Sequence, residues 1–255
     1  MTSAVICALA GLVVGAYLNV LIDRIPIKDP TARVPLHLPP ECSWCGESRG
    51  AGGWIPIVGA VKPCPECHER PRRRELVVEI LTAALFVTMS IRFGDPLVTG
   101  AFCFFCAFIV AVSAIDLEHY RIPDRLVFPA LVISVPGVVL ISLQKSLPEA
   151  IPRALLGSVT IFGILLIFHL ITPRGMGFGD VKLGLVLGLF TGWLAGTVPQ
   201  AAYLAVVALL FGAVIGVVVG LGVALSKGRK AAFPFGPALC TGAYLVVLLS
   251  DRIIS

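Results

Sequence analysis

Charged residues are scarce in this sequence, and their scarcity excludes an ordinary soluble domain. Asp, Glu, Lys and Arg make up 14% of the 255 residues, whereas hydrophobic residues make up 57%. A soluble domain usually has about 25% charged and about 45–50% apolar residues. The sequence also lacks internal repeats, low-complexity tracts and any recognisable nucleic-acid-binding module. We therefore expect an all-α polytopic membrane protein that lies in the lipid bilayer and has no nucleic acid partner.

Positive charge is also missing ahead of the N-terminal apolar run, so a cleaved signal peptide is not expected there. A signal peptide has a positive n-region and a small-residue cleavage site. Residues 1–22 are instead predicted to form a retained first transmembrane helix. A helix needs about 20 mainly apolar residues to cross the bilayer, and eight segments reach or approach that length: 3–22, 76–92, 97–115, 126–143, 154–172, 181–198, 201–225 and 233–250.

The distribution of Lys and Arg predicts the orientation of these eight helices. Of the 20 Lys and Arg residues, 16 fall in the loops on one side and 4 on the other. Positive residues accumulate in cytoplasmic loops, so the side with 16 is predicted to be cytoplasmic and both termini to lie outside. The long segment 23–75 is then a small cytoplasmic insert. Residues 76–255 form the transmembrane core of a multi-pass inner (plasma) membrane protein.

Four of the eight Cys residues lie in the insert as two C-x2-C pairs, Cys42 with Cys45 and Cys64 with Cys67. Each pair places two thiolates on one tight knuckle, and two knuckles complete a tetrahedron around zinc. A cytoplasmic loop is kept reduced, so disulfides are disfavoured there. We predict a structural zinc site that supplies much of the folding free energy of the insert. Redox-active or unliganded thiols are the alternative.

Three Asp residues adjoin predicted membrane helices on the cytoplasmic side. Asp116 ends the third span, Asp124 follows shortly after it, and Asp180 opens the sixth span. Ionisable groups at membrane depth are costly and usually functional. Gly177 and Gly179 free the backbone before Asp180 from Cβ constraints, which would let an extended peptide approach. A flexible loop with a helix-capping Asp explains the same residues.

Two carboxylates that converge on one water molecule can hydrolyse an amide. One must be ionised to take the proton of the water, and the other must be protonated to polarise the carbonyl group. Asp180 is predicted at a helix N-terminus, where the helix dipole favours an anion, and Asp116 at a C-terminal end, where it does not. The resulting hypothesis makes Asp180 the base and Asp116 the proton donor. Lys182 lies either close to Asp180 or at the membrane interface without a specific role.

These motifs resemble those of the prepilin peptidases, also called type IV leader peptidases, of the GxGD aspartic protease class. Gly177-Phe178-Gly179-Asp180-Val181-Lys182 matches the second-aspartate motif. Asp116-Leu117 followed by Ile122-Pro123-Asp124 looks like the first-aspartate motif, in which the leading Asp is catalytic. Gly15-Ala16-Tyr17-Leu18-Asn19-Val20 is similar to the first-helix signature, and the Cys pairs match a cytoplasmic zinc-binding loop. The resemblance covers nearly the whole chain. It implies catalytic roles for Asp116 and Asp180 and supporting roles for Gly177, Gly179, Lys182 and Asp124.

The resemblance implies an endopeptidase that removes the short, positively charged leader of type IV prepilins or pseudopilins at the cytoplasmic membrane face. Many members then methylate the new N-terminus with S-adenosylmethionine, and the resemblance leaves open whether this chain does so. Two departures bear on methylation: Ala16-Tyr17 stands where Ser-Phe is common, and residues 74–79 keep Glu79 but lack Tyr-Pro. Glu79 is expected to be a structural partner of polar groups, with a direct substrate role as the alternative.

Two other function classes fit parts of the sequence. A transporter could use Asp116 and Asp180 as a proton relay, but transporters place such sites near the bilayer midplane and often show repeated halves. A non-catalytic scaffold could use the zinc insert to recruit secretion partners, but the intact pair of aspartates argues against it. The endopeptidase is therefore the predicted function, and the apolar helix of its substrate is expected to enter laterally from the bilayer.

Overall fold

The computed structural model describes residues 2–27, 34–173, 176–227 and 234–254. Within these residues the chain is helical, apart from loops and one isolated β-bridge between Glu41 and Ser48. The all-α prediction is therefore confirmed. A 3-10 helix spans Ala51–Trp54, and the α-helices, in chain order, are α1 (Thr2–Arg24), α2 (Val58–Val61), α3 (Arg73–Arg92), α4 (Pro96–His119), α5 (Asp124–Gln144), α6 (Ala150–Ile171), α7 (Phe178–Trp193), α8 (Val198–Lys227) and α9 (Gly236–Ile254).

Each of the eight predicted apolar segments coincides with one long helix, α1 or one of α3 to α9. Among the described residues, six of these helices are long and apolar enough to cross a membrane, namely α1, α4, α5, α6, α8 and α9. A multi-pass membrane protein follows from these six. Helix α3 falls short because it carries Arg73, Arg74, Glu75, Glu79 and Arg92. Helix α7 falls short because its 16 residues extend only about 24 Å at 1.5 Å per residue.

Part of the orientation prediction concerns residues outside the described ones. These are Lys28, Arg33, Arg174, Arg229 and Lys230, and Gly175 of the loop before Asp180 lies outside them as well. The orientation stays a prediction.

The first of two compact units, Met1–Ala114, contains α1, the insert and α3. Helices α1 and α3 pack closely because two glycines of α1 face the backbone of α3. A Cβ atom at Gly11 would lie 2.5 Å from Cα of Ala83, and one at Gly15 would lie 2.6 Å from Cα of Glu79. Small residues allow this close approach between membrane helices. The close contact between α1 and α3 brings the two ends of the insert together.

In the second unit, Ile115–Ser255, α7 is the central helix. It contacts α5, α6, α8 and α9, and its buried residues run from Asp180 to Gly192 on all sides of the helix. A helix that is apolar all round is expected to be surrounded by protein. Helix α6 packs most closely against α7. A Cβ atom at Gly157 of α6 would collide with the α7 backbone, and one at Gly188 or Gly192 of α7 would collide with the α6 backbone. We call these three residues the glycine contact.

Candidate active site and metal centre

Asp116 lies in the last turn of α4, and its side chain is buried, with 5% relative exposure. The backbone N–H of Gly236, the first residue of α9, donates a buried hydrogen bond of 3.0 Å to Oδ2 of Asp116. A Cβ atom at position 236 would lie only 2.7 Å from that oxygen. Glycine is therefore required for this approach. The sequence interpretation missed Gly236, although Phe235-Gly236-Pro237 at the start of a helix was a visible signal.

Asp180 lies in the first turn of α7 and is also buried, with 9% exposure. The two glycines before it have different neighbours. A Cβ atom at Gly179 would lie 3.0 Å from Cβ of Ile122, whereas one at Gly177 would lie 3.6 Å from Oδ2 of Asp180. Gly179 thus lets α7 begin directly against Ile122. A Cβ atom at Gly177 would instead be in ordinary van der Waals contact with the carboxylate.

The structure brings the two predicted catalytic residues together in the second unit. Ile122 lies beside both of the segments that hold them. Its Cβ atom is 3.0 Å from where a Cβ atom at Gly179 would be, and its Cδ1 atom is 3.2 Å from where a Cβ atom at Gly236 would be. We call Asp116 and Asp180 the aspartate pair. Two carboxylates that adjoin one site can share a proton, so that one is ionised while the other is protonated.

The structure removes one premise of the role hypothesis. Asp116 belongs to the end of α4, but its carboxylate accepts a hydrogen bond from the first residue of α9. Both members of the aspartate pair therefore lie beside a helix N-terminus, α7 for Asp180 and α9 for Asp116. Since an N-terminus favours an anion, the helix dipole no longer distinguishes the base from the proton donor.

Lys182 and Asp124, the other two polar residues predicted to support the site, bind each other. The Lys182 ammonium group is 2.6 Å from Oδ1 of Asp124, whose side chain is 54% exposed. The ammonium group also lies 5.0 Å from the ring centre of Phe178 and 5.4 Å from that of Phe128. In the part of the chain that the structure describes, Asp124 is thus the carboxylate that Lys182 contacts. This ion pair links the start of α5 to the start of α7.

The four predicted metal ligands lie together in the first unit, on two knuckles with the same backbone geometry. The N–H of Gly46 donates to the carbonyl oxygen of Cys42, and the N–H of His68 donates to that of Cys64, each at 3.0 Å. Both donors have positive φ, 76° for Gly46 and 59° for His68. His68 therefore occupies the left-handed position of its knuckle, the position that glycine occupies in the other knuckle.

The sulfur atoms are spaced as a tetrahedral zinc site requires. All four lie within 4.8 Å of one another. The distance from Cys42 to Cys67 is 3.6 Å, and that from Cys45 to Cys64 is 3.7 Å. A zinc–sulfur bond of about 2.3 Å in a tetrahedron gives sulfur–sulfur distances of about 3.8 Å. The predicted ligand set is therefore brought together in a geometry that fits zinc.

The thiols of this cluster differ in how easily they ionise. Burial disfavours the Cys42 thiolate, but hydrogen bonds from the backbone amides of Cys45 and Trp44 lower the pKa of this thiol to about 7. The Glu69 amide favours the Cys67 thiolate, but burial and the three neighbouring thiols raise the pKa of Cys67 to about 12. Metal binding requires the thiolates, so a dication that bound here would displace protons from the cluster.

A buried polar cluster ties the insert to α1 and α3. Arg49 donates to Oε2 of Glu75 at 2.6 Å and to the carbonyl oxygen of Gly59 at 2.8 Å. Asn19 of α1 donates to the backbone oxygen of Glu75 at 3.0 Å, and Glu79 accepts a hydrogen bond from the N–H of Ile57. Glu79 is thus a structural partner of a polar group, as expected. Three buried atoms of this cluster lack a hydrogen-bond partner, namely Oδ1 of Asn19, Nε of Arg49 and Oε1 of Glu75.

Comparisons with known proteins identify relatives along almost the entire chain. Residues 9–93 match the bacterial peptidase A24 N-terminal domain, and residues 103–221 match the type IV leader peptidase family. The chain is similar to three proteins named prepilin leader peptidase/N-methyltransferase. Those of Stutzerimonas stutzeri and Pseudomonas aeruginosa are each 31% identical to it over 98% of this chain, which is 92% and 91% of their own lengths. That of Bacillus subtilis is 30% identical over 88% of each chain. No solved structure matches the chain.

Proposed function

Because the chain belongs to the type IV leader peptidase family, we propose that its aspartate pair cuts the N-terminal leader from type IV prepilins or pseudopilins. The chain is a peptidase of this family, and the curated relatives carry prepilin leader peptidase in their names.

The observation that carries this proposal is the convergence of Asp116 and Asp180, both buried, on segments of different helices that meet at Ile122. One carboxylate takes a proton from a water molecule that attacks the peptide carbonyl carbon. The other donates its proton to the carbonyl oxygen and so stabilises the charge that develops there. Gly236 fixes one oxygen of Asp116 during this step. No feature of the described residues favours the transporter alternative.

We infer that all eight long helices cross the inner membrane. Helix α7 is shielded from lipid by neighbouring helices, and α3 turns an apolar face with Val77, Ile80 and Ile91 outward. Residues 1–22 then form the first transmembrane helix, 23–75 the metal-binding insert and 76–255 the peptidase core. The placement of 16 of the 20 Lys and Arg residues on one side supports a cytoplasmic insert and an active site that faces the cytoplasm. A cytoplasmic site suits a leader that carries positive charge, because such a segment is retained on that side.

We propose a second activity, N-methylation of the new N-terminus, which the printed names of the relatives include. As part of this proposal we assign the amino-acid portion of S-adenosylmethionine to the buried polar cluster. Its two unpartnered acceptors, on Asn19 and Glu75, suit an ammonium group, and the unpartnered donor on Arg49 suits a carboxylate. The bound cofactor would supply the methyl group. Binding of radiolabelled S-adenosylmethionine to wild type and to Arg49→Met tests this assignment, and equal binding by both would refute it.

The test of the peptidase is co-expression with a candidate prepilin that retains its membrane helix, with leader removal followed by mass spectrometry. Asp116→Asn and Asp180→Asn are each expected to abolish cleavage while accumulating in the membrane at the wild-type level. Asp124→Asn is the matched control, because its side chain is exposed and binds Lys182; it is expected to keep cleaving. Normal cleavage by Asp116→Asn or Asp180→Asn would contradict the two-carboxylate mechanism.

A further inference from the structure

Residues 50–61 of the insert form an apolar stretch between Arg49 and Lys62, and we call them the apolar loop. None of these 12 residues carries a charged, hydroxyl or carboxamide group. A stretch of about 10–14 apolar residues is typical of a buried core helix or of a re-entrant or interfacial membrane segment. Four of its large side chains are not core residues, because 44–51% of each is exposed, namely Ile55, Ile57, Val58 and Val61. The loop therefore has the properties of a membrane segment.

The apolar loop contacts α1 and α3 at a level well inside the ends of both helices. The ring of Trp54 stacks on that of Tyr17 in α1, with ring centres 6.0 Å apart. The backbone N–H of Ile57 donates to Oε2 of Glu79 in α3. Tyr17 lies seven residues before the end of α1, and Glu79 six residues after the start of α3. At 1.5 Å per residue, the two contacts lie about 10 Å and about 9 Å inside these helix ends.

The apolar loop turns back, so that it enters and leaves at the same level. Arg49, directly before it, binds Glu75, which lies one helical turn nearer the start of α3 than Glu79. Arg49 also donates a hydrogen bond of 2.8 Å to the carbonyl oxygen of Gly59, near the end of the loop. The loop is therefore a hairpin whose two arms are joined at Arg49 and whose tip, Ile57, reaches the deeper Glu79.

The backbone N–H groups of the apolar loop are satisfied, as an apolar environment requires. A backbone polar group without a partner costs several kcal/mol in lipid. Apart from Pro56, each residue from 55 to 59 donates its N–H to a protein acceptor. Ile57 is the centre of a γ-turn, with a φ of 65° that is strained for a β-branched residue. The Glu79 carboxylate supplies the acceptor for the N–H of that residue and so stabilises the turn.

We propose that the apolar loop is a re-entrant segment that enters the bilayer beside α1 and that lipid acyl chains cover its exposed side chains. Helix α1 is long and apolar enough to cross a membrane. Tyr17 and Val13, which lie on one face of α1 one turn apart, are themselves 41% and 60% exposed. The loop continues this apolar face, so the solvent of the helix is also the solvent of the loop. The proposal rests on the transmembrane placement of α1 and is independent of the catalytic roles of the aspartate pair.

The three Trp residues of the chain provide the test. The full-length protein is reconstituted into vesicles of phosphatidylcholine with brominated or ordinary acyl chains, since bromine quenches the fluorescence of Trp that it contacts. Trp44→Phe with Trp193→Phe leaves Trp54 as the reporter of the loop. Trp54→Phe with Trp193→Phe is the matched control, because Trp44 lies in the same insert, is 65% exposed and binds the backbone oxygen of Arg70 outside the loop. We expect bromine to quench Trp54 and aqueous iodide to quench Trp44.

A second pair of variants reports on the exposed side chains of the loop. In a chain with all three Trp residues replaced by Phe, Val58→Trp is expected to be quenched by bromine. Leu38→Trp is its control, because Leu38 lies outside the loop, is 41% exposed and binds Arg24 at the end of α1 through its backbone oxygen. It is expected to respond less to bromine than Val58→Trp. Melting temperatures equal to that of the wild type show that the variants are folded.

Two results would overturn the proposal. Quenching of Trp54 and of the Trp at position 58 by iodide but not by bromine would place the loop in water. Protection of both from iodide and from bromine would assign the loop to a contact with protein. If a multiple variant does not fold, the comparison of wild type with Trp54→Phe decides the question, because Trp54→Phe must then lose the part of the emission that bromine quenches.

Discussion

Replacing Gly236 with Ala should damage the aspartate pair without touching either carboxylate. The added Cβ atom would lie 2.7 Å from Oδ2 of Asp116 and 3.2 Å from Cδ1 of Ile122. Carbon and oxygen atoms cannot approach this closely without displacement of one of them. Because Asp116 and Ile122 are both buried, the carboxylate is expected to move away and lose its 3.0 Å hydrogen bond to the backbone N–H of residue 236.

The size of the effect follows from this lost hydrogen bond. A hydrogen bond to a charged group contributes about 1.5–3 kcal/mol, and about 1.36 kcal/mol corresponds to a tenfold change in rate. We therefore expect kcat for leader removal to fall by about 10- to 160-fold. KM should change little, because the substitution alters the geometry of a reacting group rather than a surface that binds the substrate.

The assay is cleavage of a purified prepilin by the variant in membranes or nanodiscs, with kcat and KM measured separately. Gly163→Ala is the matched control: it makes the same chemical change inside α6, where an added Cβ atom meets nothing within 4 Å. It should cleave at the wild-type rate and have the same or a slightly higher melting temperature, since Ala suits a helix interior better than Gly. Equal kcat values for Gly236→Ala and Gly163→Ala would refute the positioning role of Gly236.

Three further predictions concern the insert and the ion pair beside the active site. Cys64→Ser, or treatment with a zinc chelator, should unfold the insert; this is measured as loss of bound zinc together with new protease cleavage in 34–72, and an intact insert without metal would contradict it. His68→Gly should stabilise the second knuckle by about 1–2 kcal/mol, because a left-handed backbone is costly for other residues; zinc affinity lower than wild type would show that His68 has another role. Lys182→Met should change stability by only about 0–1 kcal/mol, as expected for an exposed ion pair, and should leave most cleavage activity; loss comparable to that of Asp180→Asn would place Lys182 in the catalytic machinery.

The helices could be predicted from the sequence because their main determinant is local. About twenty apolar residues between polar loops specify a membrane helix whatever its neighbours are. The helix predicted at 126–143 is accordingly observed as α5, Asp124–Gln144. The boundary after α7 was less accurate: 181–198 was predicted, but α7 ends at Trp193. The side chain of Gln200 accepts hydrogen bonds from the N–H groups of Gly196 and Thr197, 3.0 Å each. This cap begins α8 and interrupts an otherwise continuous apolar run.

The site was only partly predictable, because some of its contacts join residues that are far apart in the chain. Asp116 and Asp180 stand out by residue type and by the glycines around the second of them. The partner of Asp116 is a backbone N–H 120 residues away, and Lys182 binds a carboxylate 58 residues away. Neither contact has a signature in hydropathy or spacing, because the first depends on how α4 meets α9 and the second on how α5 meets α7. The metal site was predictable because its spacing is local within each knuckle.

The glycine contact between α6 and α7 has a consequence for biogenesis. A 16-residue helix is shorter than the roughly 30 Å hydrocarbon core, so α7 gains little from lipid on its own. Helices α8 and α9, which cover it in the finished protein, are synthesised later. Until they arrive, the backbone contact of Gly157 with Gly188 and Gly192 can hold α7 against α6 as a hairpin. A larger residue at one of these three positions would therefore impair membrane insertion, before any active site exists. It would lower the amount of protein in the membrane rather than the kcat of each molecule.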